Sequence, residues 1–244
     1  MKAYGLIGYP LTHSFSEQYF AQKFSRVGIT DCSYKLFELS DIGQLPGLLA
    51  SRPDLKGLNV TIPYKEAVIP FLDELDEETA RIGAVNVIRI ENGRTKGYNS
   101  DYQGFKKSLE NFLGSAKKVE ALVLGTGGAS KAVNAALRHL HIPYQVVSRQ
   151  AGEGLITYAD LSPELLSAYS LIINTTPLGT YPKTDTFPEL PYQALGPEHF
   201  LFDLVYNPAE TVFLRKGREA GAKTLNGYEM LVLQAEAAWQ IWNS

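Results

Sequence analysis

EALVLGTGGASKAVNAALRHL, residues 120–140, is the stretch that decides the fold of this 244-residue chain. An apolar run ends at Gly125, two more glycines follow within three residues, and apolar residues then recur at helical spacing. The stretch predicts a strand, a tight turn and a long helix, in that order. Such a turn is typical of dinucleotide-binding domains, because the N–H groups at the start of the helix can face phosphate oxygens.

The glycines of this turn have separate predicted roles. Gly125 would make the tight turn, and Gly127 would let the backbone approach a pyrophosphate. Ser130 stands at the third glycine position, so the contact between helix and strand has to tolerate a small side chain. A glycine turn with a purely structural role is the alternative. The second strand, YQVV, follows at the right distance and favours a nucleotide site.

The residues after that second strand indicate which nucleotide would bind. Dinucleotide domains selective for NAD place an acidic residue there, whereas this chain has Ser148-Arg149-Gln150. An arginine suits the 2′-phosphate of NADP, so NADP is favoured over NAD. A solvated arginine is the alternative, since it is the only basic residue there and Glu153 follows.

Strand and helix signals alternate on both sides of the turn, which predicts an α/β protein with parallel sheets. Upstream lie the strands AYGLIG, SYKLFEL and GLNVTI, a hairpin around Asn92-Gly93, and the helix QGFKKSLENFL. Downstream lie the strands LIINTT and FLFDLVY and the helices PAETVFLRKGREAG and YEMLVLQAEAAWQIW. We place the change of domain at QGFKKSLENFL, because the nucleotide-binding unit begins at Glu120.

The length and composition are those of an enzyme-sized protein and do not indicate nucleic acid or membrane partners. A net charge of −3 and a pI near 5.9 argue against nucleic acid and anionic membranes. A single cysteine, Cys32, fits a reducing compartment, and we expect a cytoplasmic protein. The N-terminal segment does not read as a signal peptide, and no apolar run could span a bilayer. The four histidines are scattered, so no metal site is predicted.

Two Tyr-x-x-x-Lys matches, Tyr19 with Lys23 and Tyr102 with Lys106, could suggest a short-chain dehydrogenase. Both precede the glycine turn, whereas that mechanism needs the pair after it. We therefore reject this interpretation.

A second polar pattern lies at LNVTIPYKEAV, residues 58–68. Asn59 and Thr61 end an apparently buried strand, Pro63 breaks it, and a helix is predicted to begin at Lys65. Ordinary surface chemistry is one explanation, and a strand end that carries a site is the other.

Eight motifs together identify the family that this chain resembles. They are GYPLTHSFS (8–16), NVTIPYK (59–65), GAVNV (83–87), GYNSD (97–101), LGTGGAS (124–130), NTTPLG (174–179), DLVYNP (203–208) and NGYEMLVLQ (226–234). The chain resembles the shikimate dehydrogenases over essentially its whole length. The resemblance implies an N-terminal α/β substrate domain, 1–103, completed by the C-terminal helix 228–244. It also implies a Rossmann-like NADP-binding domain, 104–227, with catalysis in the cleft where the two meet.

The resemblance implies a role for particular residues. Lys65 would donate or accept the proton, with Asp101 beside it as a substrate ligand. Ser14 and Ser16 would bind the substrate carboxylate. The remaining substrate ligands would be Asn59, Thr61, Asn86, Tyr206 and Gln234. The cofactor would meet Gly125, Thr126, Gly127, Gly128, Ala129 and Ser130 at its pyrophosphate, Ser148 and Arg149 at its 2′-phosphate, and Glu77, Thr175, Leu204, Gly227 and Met230 in its nicotinamide half.

Several of these residues also have structural explanations. Ser14 with Glu17 matches a helix capping box, and Asp101 could be a turn or N-cap residue. Asn and Thr at strand ends often satisfy nearby backbone. Leu204 and Met230 would otherwise be read as core.

The chain departs from the family pattern at several positions, among them Ser148 and Gln150, where Asn and Thr are usual. Glu17 and Phe20 replace a usual proline and histidine, and Val87 replaces a usual threonine. Glu153 stands where another basic residue is usual, and Glu229 where a small residue is usual.

The resemblance implies the reversible, NADPH-dependent reduction of 3-dehydroshikimate to shikimate in chorismate and aromatic amino acid biosynthesis. A quinate/shikimate dehydrogenase that uses NAD, and a catalytically silent nucleotide-binding relative, are the alternatives. The expected partners are the small-molecule substrate and cofactor, with the protein a monomer or homodimer.

Overall fold

The computed structural model describes residues 1–11, 14–116 and 118–244, and the chain divides into two compact units. The first unit comprises residues 1–100 and 234–244, and the second comprises residues 101–233. The sequence predicts boundaries after residue 103 and before residue 228, which lie a few residues from these divisions.

The first unit is built on one six-stranded mixed sheet. Its strands are β1 (Lys2–Gly8), β2 (Cys32–Glu38), β3 (Leu55–Val60), β4 (Glu74–Leu75), β5 (Val87–Glu91) and β6 (Arg94–Tyr98). They lie in the order β2-β1-β3-β5-β6-β4. Its helices are α1 (Phe15–Arg26), α2 (Leu45–Ser51), α3 (Glu77–Ile82) and the part from residue 234 onward of α8 (Tyr228–Asn243).

The predicted hairpin is confirmed. Strands β5 and β6 pair antiparallel from Val87 with Tyr98 to Glu91 with Arg94. The two residues between them, Asn92 and Gly93, have φ values of 52° and 77°. Positive φ at both central positions is the conformation of a type I′ turn, for which Asn-Gly is the preferred sequence.

The prediction that a helix begins at Lys65 is wrong. Residues 65–68 form a turn, followed by a short 3₁₀ helix at Ile69–Phe71. The Lys65 carbonyl accepts from Val85 N–H at 2.7 Å, so it is not left for the next turn of a helix. Pro70 has no N–H to donate to the carbonyl of Glu66. The positive end of a helix is therefore not next to Lys65.

An aromatic cluster packs α1 and α8 on one face of the first sheet. It contains Tyr4, Phe20, Phe24, Tyr34 and Trp242. Phe20 is fully buried, and its ring stacks on Tyr34 with a centroid distance of 4.7 Å. A phenylalanine in place of the family histidine therefore adds apolar area to the core of this unit.

The second unit is built on a six-stranded sheet in which every strand pair is parallel. Its strands are β7 (Ala121–Leu124), β8 (Tyr144–Ser148), β9 (Leu155–Thr157), β10 (Leu171–Asn174), β11 (Phe200–Asp203) and β12 (Lys223–Leu225). Its helices are α4 (Ser100–Leu113, from residue 101), α5 (Gly128–His139), α6 (Pro163–Ser167), α7 (Val212–Glu219) and the start of α8.

The strand order of this sheet is β12-β11-β10-β7-β8-β9. The first strand of the unit, β7, lies in the middle, and successive strands extend outward first on one side and then on the other. This is the strand order of dinucleotide-binding domains, and its direction reverses between β7 and β10. The predicted Rossmann-like fold is confirmed.

Helices cover both faces of the parallel sheet. Along β7, Ala121 and Val123 join a core with residues of α4 and α5, while Leu122 and Leu124 join a core with residues of α6 and α7. A strand buried on both faces is apolar throughout, which explains the continuous apolar run before Gly125.

Short elements escaped the sequence patterns. The strands β4, β9 and β12 and the helices α2, α3 and α6 have two to seven residues each. Helix α7 begins at Val212 and not at Pro208, because Thr211 caps it by accepting from Leu214 N–H. None of the described helices is long and apolar enough to cross a membrane.

Candidate active site

The glycine turn joins β7 to α5 where the strand order reverses. Gly125 has φ +109°, and its N–H donates to the Val147 carbonyl at 2.9 Å. A Cβ on Gly125 would lie 2.8 Å from Thr175 Oγ1. Both the backbone conformation and the close neighbour therefore require glycine at this position.

Gly127 is different, because the fold does not require a glycine there. Its φ is −78°, and a Cβ would meet nothing within 4 Å. Among the residues that the structure describes, the N–H groups of Thr126, Gly127, Gly128 and Ala129 have no acceptor. An open surface with several N–H donors at the start of a 12-residue helix fits a pyrophosphate.

Ser130 stabilises the turn through two hydrogen bonds. Its N–H and its hydroxyl both donate to the Gly127 carbonyl, at 3.0 Å and 2.9 Å, and the residue is 2% exposed. A small side chain is accommodated at the third glycine position, as the sequence predicts. In this geometry Ser130 shapes the turn, while the four preceding N–H groups have no acceptor within the described residues.

Thr175, Leu204 and Gly227 form close contacts beside the turn. The Thr175 N–H and hydroxyl donate to the Leu124 carbonyl at 3.0 Å and 2.6 Å. A Cβ on Gly227 would lie 2.1 Å from the Leu204 carbonyl oxygen, so this approach needs glycine. Met230 is buried in the core of the second unit. Thr175, Leu204 and Gly227 thus follow the carboxyl ends of three neighbouring parallel strands.

A buried carboxylate connects two of these strand ends. The Asp203 Oδ1 accepts from Asn174 Nδ2 at 2.9 Å and from Val205 N–H at 3.0 Å. Its Oδ2 accepts from the Thr211 hydroxyl at 2.5 Å. Burial raises the pKa of Asp203 to about 6, and the three hydrogen bonds limit the rise.

Arg149 lies after β8 and is exposed. Ser148, just before it, accepts from Gln150 N–H through its hydroxyl at 3.2 Å. Arg149 lines an open cleft of about 520 Å³ together with Tyr158, Leu178, Thr186, Phe187 and Glu189. The cleft could take a phosphate at the arginine, but Glu189 adds a negative charge to the same wall.

The predicted carboxylate-binding serines lie at the start of α1. Ser14 is the N-cap residue, and its hydroxyl oxygen accepts from Glu17 N–H at 3.3 Å. Its proton can still be donated, so capping and ligand binding are compatible. Ser16 is half-buried and hydrogen-bonds to the Tyr34 hydroxyl.

Strand β3 positions the next three predicted residues. Asn59 is buried near the end of the strand, and its Nδ2 donates to the Asn86 carbonyl at 3.3 Å. Thr61 N–H donates to the Ile7 carbonyl at 2.9 Å, which fixes the chain as it leaves the sheet. Lys65 is half-buried in the turn that follows.

Asn86 and Gln234 meet at a buried serine. The Ser100 N–H donates to Asn86 Oδ1 at 2.6 Å, and Asn86 Nδ2 donates to Ser100 Oγ at 3.0 Å. The Ser100 hydroxyl also lies 3.3 Å from Gln234 Oε1. The first unit thus connects Ser16, Asn59, Asn86 and Gln234 through buried hydrogen bonds.

Three further predicted residues lie on other elements. Asp101 is buried at the start of α4, and Tyr206 is exposed after β11; both belong to the second unit. Glu77 begins α3 in the first unit, is exposed and pairs with Arg81. Glu229, one of the departures, accepts from Ser108 at 2.9 Å and from Asn111 at 2.8 Å.

No group of three or more His, Cys, Asp or Glu side chains among the described residues could hold a metal ion. His13 lies outside those residues.

The sequence analysis does not predict four polar residues that hydrogen-bond among the candidate substrate ligands of the first unit or at the strand ends beside the glycine turn of the second. They are Tyr34, Ser100, Asn174 and Asp203. Three lie inside the quoted motifs, and Asp203 could have been noticed as a single carboxylate at the end of the apolar run FLF. Tyr34 gave no such signal, because an aromatic residue in a strand is read as core.

Comparisons with known proteins agree with this geometry. A family model described as the shikimate dehydrogenase substrate binding domain matches residues 6–88. A shikimate dehydrogenase (NADP⁺) of Methanococcus maripaludis is 37% identical over 99% of this chain and 91% of that protein.

Two solved structures resemble both units. Shikimate 5-dehydrogenase of Thermus thermophilus, in complex with NADP(H) and shikimate, is 33% identical with a TM-score of 0.87, over 99% of this chain and 93% of that one. Quinate dehydrogenase of Corynebacterium glutamicum, in complex with NAD, is 27% identical with a TM-score of 0.86, over 99% and 93%. The identity to NADP-dependent relatives over nearly the whole chain shows that this protein belongs to the shikimate dehydrogenase family.

Proposed function

We propose that the protein catalyses the reversible, NADPH-dependent reduction of 3-dehydroshikimate to shikimate, a step toward chorismate and the aromatic amino acids. One observation carries the proposal: a single chain combines the donor-rich turn at 125–130 with the buried network around Asn59 and Asn86. The first half-site suits a dinucleotide, and the second suits a small ring with several hydroxyl groups.

Ser14 and Ser16 bind the substrate carboxylate. Ser14 caps a 12-residue helix and Ser16 lies in its first turn, and the positive end of a helix favours an anion. Neither hydroxyl is charged, so the carboxylate is held by hydrogen bonds and by the helix end. Their contribution is to binding, because the carboxylate does not take part in the reaction.

Asn59, Thr61, Asn86, Gln234 and Tyr206 recognise the ring hydroxyls. Asn59, Asn86 and Gln234 are each less than 9% exposed. An analogue that lacks a hydroxyl leaves such buried polar groups unpaired, which costs more than the loss of one solvent-exposed contact. Simple alcohols should therefore be poor substrates.

Lys65 moves the proton. When bound, NADPH supplies the hydride to the carbonyl carbon. The Lys65 ammonium then protonates the oxygen that becomes the hydroxyl, and the neutral amine takes this proton back in the reverse direction. Asp101 accepts a hydrogen bond from a substrate hydroxyl and helps to orient the ring.

The cofactor residues follow from the fold of the second unit. Gly125, Thr126, Gly127, Gly128, Ala129 and Ser130 form the turn at the pyrophosphate, with Ser148 and Arg149 at the 2′-phosphate. Thr175, Leu204, Gly227, Met230 and Glu77 serve the nicotinamide half. The N–H groups of the turn that have no acceptor among the described residues, and the open space at Gly127, support this assignment.

A second candidate is a quinate/shikimate dehydrogenase that uses NAD. The resemblance to a quinate dehydrogenase in complex with NAD favours it, as does the presence of Glu189 in the cleft that Arg149 lines. A catalytically silent relative would bind nucleotide without turnover.

The test is a steady-state assay of the purified protein with shikimate or quinate, each with NADP⁺ or NAD⁺. We expect the highest kcat/KM for shikimate with NADP⁺ and little turnover of simple alcohols. A higher kcat/KM for quinate with NAD⁺ would support the second candidate. If the protein binds nucleotide but neither shikimate nor quinate changes the absorbance of the cofactor, the result would support a catalytically silent relative.

We also propose that the enzyme acts in the cytoplasm as a monomer or homodimer. The single cysteine, Cys32, which has no partner for a disulfide, supports a reducing compartment.

A further inference from the structure

A buried tyrosine lies between two of the predicted substrate ligands. Tyr34 is on β2, within the aromatic cluster, and is 9% exposed. Its hydroxyl donates to Asn59 Oδ1 at 2.8 Å and also hydrogen-bonds to the Ser16 hydroxyl. Burial raises the pKa of Tyr34 far above its ordinary value, so the phenol keeps the proton that it donates.

Ser100 has the corresponding position beside Asn86. It is fully buried, and its N–H and Oγ engage the oxygen and the nitrogen of the Asn86 amide, at 2.6 Å and 3.0 Å. One residue therefore contacts both ends of the same side chain. If the Asn86 amide were flipped, its NH₂ group would face the Ser100 N–H, and two donors would meet. The orientation of Asn86 is therefore fixed.

The consequence is the same for both amides. The oxygen of each amide accepts a hydrogen bond from another residue of the protein. One N–H of each amide is also used within the protein: Asn59 donates to the Asn86 carbonyl at 3.3 Å, and Asn86 donates to Ser100 Oγ. Within the described part of the chain, the second N–H of each amide has no acceptor. The network thus leaves each asparagine as a hydrogen-bond donor to a ligand.

We propose that Tyr34 and Ser100 are positioning residues, which fix the amides of Asn59 and Asn86 so that each presents an N–H to a hydroxyl oxygen of the substrate. This inference rests on the proposed function. Tyr34 also links the serine that binds the carboxylate to the amide that binds a hydroxyl. Ser16 has a single hydroxyl proton, so it gives up its bond to Tyr34 when it donates to the carboxylate. Recognition of the two substrate groups is therefore coupled through one phenol.

The test of Tyr34 removes its hydroxyl and keeps its ring. Tyr34→Phe preserves stacking on Phe20, whereas Asn59 Oδ1 loses its donor. We expect the KM for shikimate to rise roughly tenfold, with the KM for NADP⁺ nearly unchanged. Tyr4→Phe is the matched control, because Tyr4 lies in the same cluster and stacks on Trp242 at 4.8 Å. It should leave both KM values unchanged.

A double-mutant cycle shows whether Tyr34 acts through Asn59. In an Asn59→Ala background, Tyr34→Phe should raise the dissociation constant of shikimate less than about twofold. The full tenfold effect in that background would overturn the proposal.

Ser100→Ala should act more weakly. It removes the acceptor of Asn86 Nδ2 but keeps the N–H that holds Asn86 Oδ1. We expect a rise of roughly threefold in the KM for shikimate. Ser108→Ala is the control, because Ser108 is equally buried on α4 and donates to Glu229. Equal effects of the two alanine variants would contradict a specific role for Ser100.

A readout without substrate separates this inference from the proposed function. The side-chain amide signals of Asn59, followed by ¹⁵N NMR in the free protein, should shift or broaden in Tyr34→Phe and not in Tyr4→Phe. Signals that do not move overturn the positioning role, whatever the activity. If they move and the wild-type protein does not bind shikimate, the orientation of Asn59 stands and the proposed function fails.

Discussion

The Asn174 side chain donates to Asp203 at 2.9 Å and ties the end of β10 to the end of β11. Asn174 Oδ1 in turn accepts from the N–H and the hydroxyl of Thr176, at 3.0 Å and 2.6 Å. Asp203 also accepts from Val205 N–H, at the start of the loop that leads to Tyr206. One buried carboxylate therefore supports both loops that follow these strands.

Asp203 should make stability depend on pH. Its pKa is about 6 in the folded protein and 3.8 ordinarily, so the folded state binds the proton more tightly. The resulting stability is full below about pH 4 and is lost as pH rises through 6. Asp203→Asn removes this dependence. Relative to the variant, the wild type should lose about 3 kcal/mol over this range, because each pKa unit is worth about 1.4 kcal/mol.

Urea unfolding followed by circular dichroism at several pH values measures this difference. Asp160→Asn is a control of opposite sign. Hydrogen bonds from the Thr157 N–H and hydroxyl lower the pKa of Asp160, so its contribution is lost as pH falls. A constant difference between wild type and Asp203→Asn from pH 4 to pH 7 would contradict the raised pKa.

Gly127→Ala should separate binding from folding. Neither φ nor a neighbouring atom excludes a methyl group at Gly127, so the unfolding midpoint should change little. The methyl group would occupy the surface that the pyrophosphate approaches, and the KM for NADP⁺ should rise at least tenfold. The measurements are thermal unfolding and cofactor kinetics.

Gly125→Ala is the contrasting variant, because both its φ and Thr175 oppose a side chain. It should lower stability by roughly 1–3 kcal/mol. If Gly127→Ala binds NADP⁺ as the wild type does, the assignment of the turn to the pyrophosphate is wrong.

Lys65→Ala should lower kcat much more than it raises KM. If Lys65 transfers the proton, kcat falls by roughly a hundredfold or more. If Ser16 binds the substrate carboxylate, which does not react, Ser16→Ala should mainly raise the KM for shikimate. Lys56→Ala, on an exposed position of β3, is the control for loss of a positive charge. The reverse pattern in Lys65→Ala and Ser16→Ala would mean that the roles of binding and proton transfer are exchanged.

The sequence predicts the second unit well because its signals are local. The turn at Gly125, the apolar strand before it and the helix after it each follow from neighbouring residues. The hairpin at Asn92-Gly93 is equally local. The helix expected at Lys65 fails for the opposite reason, since the Val85 N–H that takes the Lys65 carbonyl is twenty residues away.

The candidate site could be predicted only in part, because some of its contacts join residues that are far apart in the sequence. Motif resemblance selects the residues that are proposed to bind ligands, such as Asn59 and Asn86. It does not select Tyr34, whose partner Asn59 lies 25 residues away in the chain. Sequence pattern shows that Tyr34 belongs in a core, but only the structure shows which polar group its hydroxyl meets.

Variants of Arg149 test the origin of the preference for NADP⁺ over NAD⁺. If Arg149 binds the 2′-phosphate, Arg149→Ala should weaken NADP⁺ by roughly one to two orders of magnitude and leave NAD⁺ nearly unchanged, because NAD⁺ has no 2′-phosphate. Glu189 lines the same cleft, so Glu189→Gln should strengthen the preference for NADP⁺ by removing a repelling charge. Glu153→Lys should do the same if that loop lies near the phosphate.

Comparison of the KM for both cofactors across these variants decides the point. Arg138→Ala is the control, because Arg138 is exposed at the end of α5 and donates to the Tyr144 hydroxyl at 2.8 Å. It should change neither KM. If Arg149→Ala weakens both cofactors equally, the guanidinium packs against a part that NAD⁺ and NADP⁺ share. The selection of NADP⁺ would then have to come from residues other than Arg149.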